Sequence, residues 1–305
     1  MKKIAFFATL ALLLCSAGQA SAQIRQKDYE MEKFNSIVIG GDFDVTVEDG
    51  KDYLVSINMD RQFNDCIVCS VDGSVLTLTI DEKKLLKDID KFFKTVGKDK
   101  PSFSATVYVP GSLEQITLED QAVLKCTKVI EGESVRINVT DNAVLKSASI
   151  DSRFANINTD MKGNASVIAT ADGITVTSAG TSNLNLTQNC KTSDITASGF
   201  CNIVLDGEVD NLTLNAKGTT RTTVNGKADA ADFNLSGACF VNAHELELND
   251  AAVRMNGLCS LSESASKTLS VDLQAGSSLT FDNHPAISVV GIKLSTVKKY
   301  TENEK

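Results

Sequence analysis

The sequence predicts an all-β protein, in which a right-handed parallel β-helix of about nine coils, each roughly 19 residues long, follows a module of antiparallel strands. Two observations predict this fold. Turn-forming residues recur at intervals of 17 to 22 residues, and the residues around each turn alternate between apolar and polar. The recurring positions are Asp120, Asp141, Gly163, Gly180, Gly199, Gly218, Gly237, Gly257 and Ala275.

Positions at even distances from each turn are mostly apolar or small in every copy. Because alternate residues of an extended chain point to the same face, these positions are predicted to face the interior. Four residues after the turn, the column includes Leu124, Leu145, Leu184 and Ile203. The column two residues before the turn has Leu118, Val139, Met161, Ser178, Ala197, Ala216, Leu235, Met255 and Leu273. Alternation of period two with many β-branched residues favours strands over helices. The Asn/Cys and Leu spacing of a leucine-rich repeat is missing.

The turn column itself fits a corner of the coil. Glycine reaches positive φ without steric cost, and Asp120 and Asp141 also tolerate the left-handed region. Two residues after the turn the sequence has only small side chains, which fits a tight inner corner. These are Ala122, Ala143, Ala165, Ser182, Cys201, Thr220, Cys239, Cys259 and Ser277.

Residues 1–22 are typical of a secretory signal peptide, with Lys2 and Lys3, an apolar run and an A-x-A cleavage site ending at Ala22. A lipoprotein signal at Cys15 is the alternative, although the residue before it is not small. Residues 23–33 are predicted to be a linker.

Residues 34–110 are predicted to form the N-terminal strands. Apolar residues around Gly40 and Gly41 match the frame of the later repeats, which suggests a first coil here. Asp49-Gly50 and Asp72-Gly73 lie between alternating runs, as hairpin turns do. We therefore expect antiparallel strands to cover this end of the β-helix, since an open end would promote aggregation.

Residues 81–100 change to a Lys-rich pattern with one apolar helical stripe. This indicates a capping helix, with an amphipathic contact segment or an unordered insertion as alternatives. Residues 111–285 contain the β-helix repeats, residues 286–297 are predicted to be a terminal strand, and residues 298–305 a frayed polar tail.

Charge and cysteine content limit the classes of function. Removal of residues 1–22 leaves 28 basic and 39 acidic residues, so an acidic surface should repel nucleic acid. No later apolar run approaches the length of a transmembrane helix, so we expect a mature chain without one. Seven cysteines remain, and Cys201, Cys239 and Cys259 are predicted to fill the small inward column. Cys239 and Cys259 lie in adjacent coils, and their pairing stays open.

The sequence contains no supported constellation of catalytic residues. Asp120 and Asp141 share a column and could act as paired carboxylates, but Gly replaces them in later copies, which favours a corner role. His244 and His284 lie in no metal-binding frame. Cys66 and Cys69 have redox spacing in strand-like sequence, where no helix start stabilises a thiolate. We therefore predict no catalytic, cofactor-binding or metal-binding residues.

Three apolar residues with outward parity are the candidate surface contacts: Phe200, Phe240 and Leu258. Most copies have polar residues near this corner. An exposed apolar patch can mark a partner site, and an aromatic ring can stack on a sugar face. Packing beneath the N-terminal strands and a subunit contact in a homo-oligomer are the alternatives.

Three segments resemble a known family: FNSIVIGGDFDVTVEDG at residues 34–50, ATVYVPGSLEQI at 105–116, and Asn283-His284-Pro285. They are similar to the start, the strand before the repeats and the exit of the head GIN domain family of autotransporter adhesins. The resemblance covers residues 33 to 292. It implies an exported β-helical domain for adhesion or surface binding, with no catalytic residues to transfer.

The favoured function is thus an exported, non-catalytic binding protein, located in the periplasm, on the cell surface or outside the cell. Its expected partner is a glycan or an envelope or host surface protein. A polysaccharide-active β-helix enzyme and a structural envelope scaffold are the alternatives.

Overall fold

The computed structural model describes residues 24–86 and 102–300 of the 305-residue chain. The predicted signal peptide lies outside the described residues, as do residues 301–305. Of the predicted helix at residues 81–100, the described part has a helical turn at 82–86, in which Leu85 is half-buried and Leu86 is exposed. Within the described residues, no helix is long and apolar enough to span a membrane.

Twenty strands make up most of the described chain. The N-terminal strands are β1 Ile24–Glu30, β2 Ser36–Ile39, β3 Phe43–Asp49, β4 Leu54–Asp60, β5 Ile67–Asp72, β6 Val75–Ile80 and β7 Phe103–Val109, with a 3-10 helix at Arg61–Cys66. The next strands are β8 Gln115–Leu118, β9 Val123–Val139, β10 Val144–Thr159, β11 Asn164–Ser178, β12 Asn183–Gly199 and β13 Asn202–Gly218. The last are β14 Arg221–Val224, β15 Gly226–Gly237, β16 Phe240–Gly257, β17 Ser260–Gln274, β18 Ser278–Phe281, β19 Ala286–Lys293 and β20 Thr296–Lys299.

From β8 onward the chain forms a β-solenoid, since each coil pairs in parallel with the coils before and after it. This confirms the predicted fold class. The residues predicted inside are stacked and buried: Leu145 pairs with Leu124, Ile203 pairs with Leu184, and all four are at most 1% exposed. Hydrophobic burial along one continuous interior therefore holds the coils together.

The third turn lies at Met161 and not at Gly163. Met161 has φ 55°, and its carbonyl accepts the N–H of Thr181 as that of Asp141 accepts the N–H of Lys162. The Met161 side chain is exposed, so its predicted inward place was wrong, and Thr159 occupies that column between Val139 and Ser178.

Gly163 instead belongs to the small inner column, where a Cβ would collide with the carbonyl of Val139. The shift is two residues, which preserves parity, so Ala165 and Val167 remain buried as predicted. The sequence misled because this copy has a methionine at the turn and its glycine two residues later, at the inner corner.

The N-terminal end is covered, as expected, by strands that run antiparallel to their neighbours. The β2–β3 coil is not the outermost one, because it pairs in parallel with β8 and β9 on one side and with β6 and β7 on the other. Beyond that, β5 pairs with β6, β4 with β7, and β1 with β4, all antiparallel.

Of the two hairpin turns, the one at Asp72-Gly73 is present, since Asp72 pairs with Val75 across Gly73, which has φ 61°. The turn at Asp49-Gly50 does not form a hairpin. The strand that pairs with β3 is β7 and not β4. In turn, β4 pairs with the other edge of β7. The backbone at Gly50 passes close to β7, and a Cβ at Gly50 would lie 2.6 Å from the Cβ of Tyr108.

The C-terminal segment forms two strands, β19 and β20, joined by a turn at Leu294 with φ 54°. The predicted single strand at 286–297 therefore divides at this turn. Lys298 and Lys299, assigned to the polar tail from the sequence, lie in β20 and pair with Thr280 and Phe281.

Candidate functional site

One corner of the solenoid is built by the turn glycines. Gly199, Gly218 and Gly237 have φ between 88° and 99°, and the backbone of the previous coil lies so close that a side chain would collide. The residue after each glycine therefore points outward. Its N–H donates to the glycine carbonyl one coil back, as from Phe200 to Gly180 and from Leu258 to Gly237, both at 2.7 Å.

We call the exposed residues along this edge the corner row. Its members are Phe200, Thr219, Ala238 and Leu258, together with Phe240, which lies two residues after Ala238 in the same coil. The candidate contacts Phe200, Phe240 and Leu258 are 65%, 47% and 74% exposed. The described N-terminal strands therefore do not cover them. Phe240 lies 5.6 Å from the guanidinium of Arg221, one coil back, in a cation–π contact. Phe200 and Leu258 lie three coils apart, which corresponds to about 14 Å at the usual strand spacing.

A lateral groove of about 710 Å³ is the second candidate, and sequence reasoning missed it. It crosses the coils from β12 to β17 and is lined largely by polar side chains, among them Glu208, Asp210, Asp229, Glu245 and Asn249. Ala243 of β16 pairs with Glu263 of β17, and Leu248 pairs with Ala265. Between these two pairs β16 has four residues, 244–247, whereas β17 has only residue 264, and the groove forms at this difference in length. The only signal in the sequence is a 20-residue interval followed by one of 18.

The groove is negatively charged, and its polar groups bind one another. Lys227 forms an ion pair with Glu247 at 3.4 Å, and the Asn249 amide donates to Asp229 at 3.1 Å. Such a surface would favour neutral or cationic ligands over anionic ones.

Asp120 and Asp141 have a structural role at the first corner. Their φ values are 58° and 57°. The Asp120 carboxylate accepts the N–H of Gly41 at 2.7 Å, and the Asp141 carboxylate accepts the N–H of Asp120 at 3.2 Å. Each carboxylate thus bonds to the backbone of the preceding coil, which supports the interpretation of both residues as corner formers.

The two histidines are not brought together. His244 lines the groove, and its ring lies 4.6 Å from that of Tyr300, while His284 contacts the Lys299 ammonium at 2.7 Å. In the part of the chain that the structure describes, no three His, Cys, Asp or Glu side chains converge to hold a metal ion.

The seven cysteines of the described residues form no disulfide, and most of them lie in the core. Cys201, Cys239 and Cys259 are buried in the small inward column, as predicted. A hydrogen bond to Cys239 raises the pKa of the Cys259 thiol, so Cys259 keeps its proton. Burial raises the pKa of Cys69 to about 11, which makes a reactive thiolate at Cys69 unfavourable.

The fold and these surfaces define a β-solenoid protein with an exposed apolar corner. A family described as "Putative auto-transporter adhesin, head GIN domain" matches residues 33–199 and 186–285. The chain belongs to this family, as the sequence resemblance indicated. None of the curated proteins matches it.

Solved structures with a similar chain come from Parabacteroides species. A putative adhesin from Parabacteroides merdae ATCC 43184 is 15% identical, with 91% of this chain and 96% of that chain covered and a TM-score of 0.49. A putative lipid binding protein from Parabacteroides distasonis ATCC 8503 is 16% identical, with 91% and 97% covered and a TM-score of 0.48. A putative adhesin from the same strain is 14% identical, with 92% and 98% covered and a TM-score of 0.44.

Proposed function

We propose that this protein is exported and acts as a non-catalytic binding protein of the adhesin type. Its ligand would be a glycan or an envelope or host surface protein, held along the corner row. The observation that carries the proposal is the exposure of Phe200, Phe240 and Leu258 on an edge where most other coils have polar residues. Membership of an adhesin family supports the same function.

The corner row suits an extended ligand. A ligand lying along the edge would meet apolar groups at intervals set by the coil spacing, and the backbone ladder between coils holds those groups rigidly. Aromatic rings stack on the apolar faces of sugars as well as on protein side chains. A rigid surface loses little conformational entropy on binding.

At the first corner, the hydrogen bonds of Asp120 and Asp141 favour a non-catalytic role for this pair. Their carboxylates, which the sequence left open to an acid/base role, accept backbone N–H groups. They therefore stabilise the corner, which is sufficient reason for their presence.

The test is a binding screen of purified residues 23–305 on glycan arrays and immobilised matrix proteins. The key variant combines Phe200→Thr, Phe240→Ser and Leu258→Thr, which copies the residues of neighbouring coils at Thr219 and Ser260. We expect it to fold normally and to lose at least tenfold in affinity, since buried apolar contacts dominate such interfaces. Ile168→Thr is the matched control, because Ile168 is comparably exposed elsewhere and pairs with Thr187.

Four outcomes would contradict the proposal. The screen could give no ligand, or the triple variant could bind as tightly as the wild type. New reducing ends or unsaturated products from acidic polysaccharides would indicate an enzyme instead. A concentration-dependent mass that the triple variant abolishes would assign the corner row to a contact between copies of the chain.

A further inference from the structure

The C-terminal end of the solenoid presents an uncovered apolar surface. In β19, Ile287, Val289 and Ile292 continue the inward columns, since they pair with Leu269, Val271 and Leu273 of β17. Those three partners are fully buried, whereas Ile287, Val289 and Ile292 are 46%, 58% and 46% exposed. The interior of the solenoid therefore opens to solvent at this end of the described chain.

Two further aliphatic side chains enlarge the surface. Val290 is the extra residue of a bulge between paired Val289 and Gly291, and it is 71% exposed. Leu294 lies at the left-handed turn between β19 and β20 and is 83% exposed. We name these five residues the end face: Ile287, Val289, Val290, Ile292 and Leu294.

The end face is bordered by positive charge on an acidic protein. Residues 282–300 include Lys293, Lys298 and Lys299 and a single acid, Asp282, although the whole chain has 39 acidic and 30 basic residues. Two acids, Glu302 and Glu304, follow outside the described residues. The described end of the solenoid thus has the opposite charge from the molecule as a whole, which indicates an anionic partner.

The same features disfavour a second copy of the chain. The bulge at Val290 interrupts the hydrogen-bonding edge to which another strand would add, and lysines on an edge strand repel their own kind.

A protein partner fits less well than a lipid surface. Protein interfaces are enriched in aromatic residues and arginine and depleted in lysine, whereas the end face is aliphatic with lysines around it. Aliphatic side chains flanked by lysines are typical of peripheral contact with anionic bilayers, in which the apolar groups enter the headgroup region. We propose that the end face docks on an anionic membrane surface.

In this orientation the last described coil of the solenoid would contact the membrane. The corner row runs along the side of the coils and would remain accessible. The proposal does not depend on the proposed function, because a different surface carries it.

The test measures binding of purified residues 23–305 to vesicles of phosphatidylcholine alone and of phosphatidylcholine mixed with phosphatidylglycerol. Lys293→Gln with Lys299→Gln should weaken binding to the mixed vesicles by about fivefold per lysine. Val290→Thr with Leu294→Asn should weaken it at least tenfold, since both side chains are exposed in the free protein and would be buried on the membrane. Asn is chosen for position 294 because it tolerates positive φ.

Ile168→Thr with Lys162→Gln is the matched control, because both side chains are exposed away from this end, and it should bind as the wild type does. High salt should weaken wild-type binding. The proposal is overturned if the wild type binds neither vesicle, if it binds both equally, or if the lysine pair has no effect. A dimer in light scattering that the Val290/Leu294 variant dissociates would assign the end face to a second copy and overturn it as well.

Discussion

Glu263 lies in an inward column in which the paired positions of the adjacent coils are Ala243 and Phe281. Its side chain is fully buried, and one carboxylate oxygen accepts the N–H of Ala265 at 2.6 Å. The other oxygen has no hydrogen-bond partner among the described residues. A buried carboxylate with one oxygen unsatisfied is costly in its charged form.

Glu263 should therefore make stability depend on pH. Burial, with a smaller contribution from Asp282, raises the pKa of Glu263 from 4.5 to about 7. The folded protein then binds more protons than the unfolded chain between these values, so stability falls as pH rises from 4.5 through 7. Glu263→Gln should stabilise the protein by roughly 3 kcal/mol at pH 8 and have little effect near pH 4.5.

Urea unfolding of both proteins at the two pH values measures this difference. Glu245→Gln is the control, because Glu245 is exposed one coil back and should change stability little at either pH. An equal effect of Glu263→Gln at both pH values would show that Glu263 is charged, or neutral, in both conditions.

At the scale of the element, sequence predicted most of each coil, because every coil must satisfy the same inward parity and the same tight corner. It could not locate the third turn, where Gly163 fits two positions of the repeat. It also missed the groove, which arises from unequal lengths of β16 and β17 and not from any residue type. The sequence also did not predict that β7 lies between β3 and β4. This arrangement depends on pairing between strands far apart in the chain, and the local alternation of apolar and polar residues does not show which strands pair.

The second corner of the coil gives a direct test of close backbone packing. Gly207 has φ 121°, and a Cβ there would collide with the carbonyl of Gln188 in the previous coil. Gly207→Ala should therefore destabilise the protein by at least about 2 kcal/mol, from both the strained φ and the clash.

Gly132→Ala is the matched control, since its Cβ would approach no atom closer than 3.8 Å and its φ is not positive. We expect no loss of stability from it. Thermal unfolding of both variants measures the contrast, and equal midpoints would mean that the coils can separate locally at no cost.

At the scale of the whole molecule, the two ends of the solenoid differ. The β2–β3 coil is early in the chain but has parallel neighbours on both sides, and antiparallel strands cover the coil beyond it. At the other end, β19 pairs only with β17 and β20 only with β18, so one edge of each is open among the described strands. In a solenoid each coil is stabilised by its neighbours, so position in the stack, and not position in the chain, should decide local stability.

Native-state hydrogen exchange should show this asymmetry. Among the strands from β8 onward, the amides of β19 and β20 should exchange fastest, because the inward side chains of β19 are exposed and local opening breaks contacts on only one side. The amides of β2 should be protected as strongly as those of β12 and β13, since opening β2 requires separation from both β6 and β8. If β2 exchanged as fast as β19, the β2–β3 coil would be terminal and the covering strands would contribute little. Slower exchange in β19 on addition of phosphatidylglycerol vesicles, with β12 unchanged, would locate membrane contact at the same end.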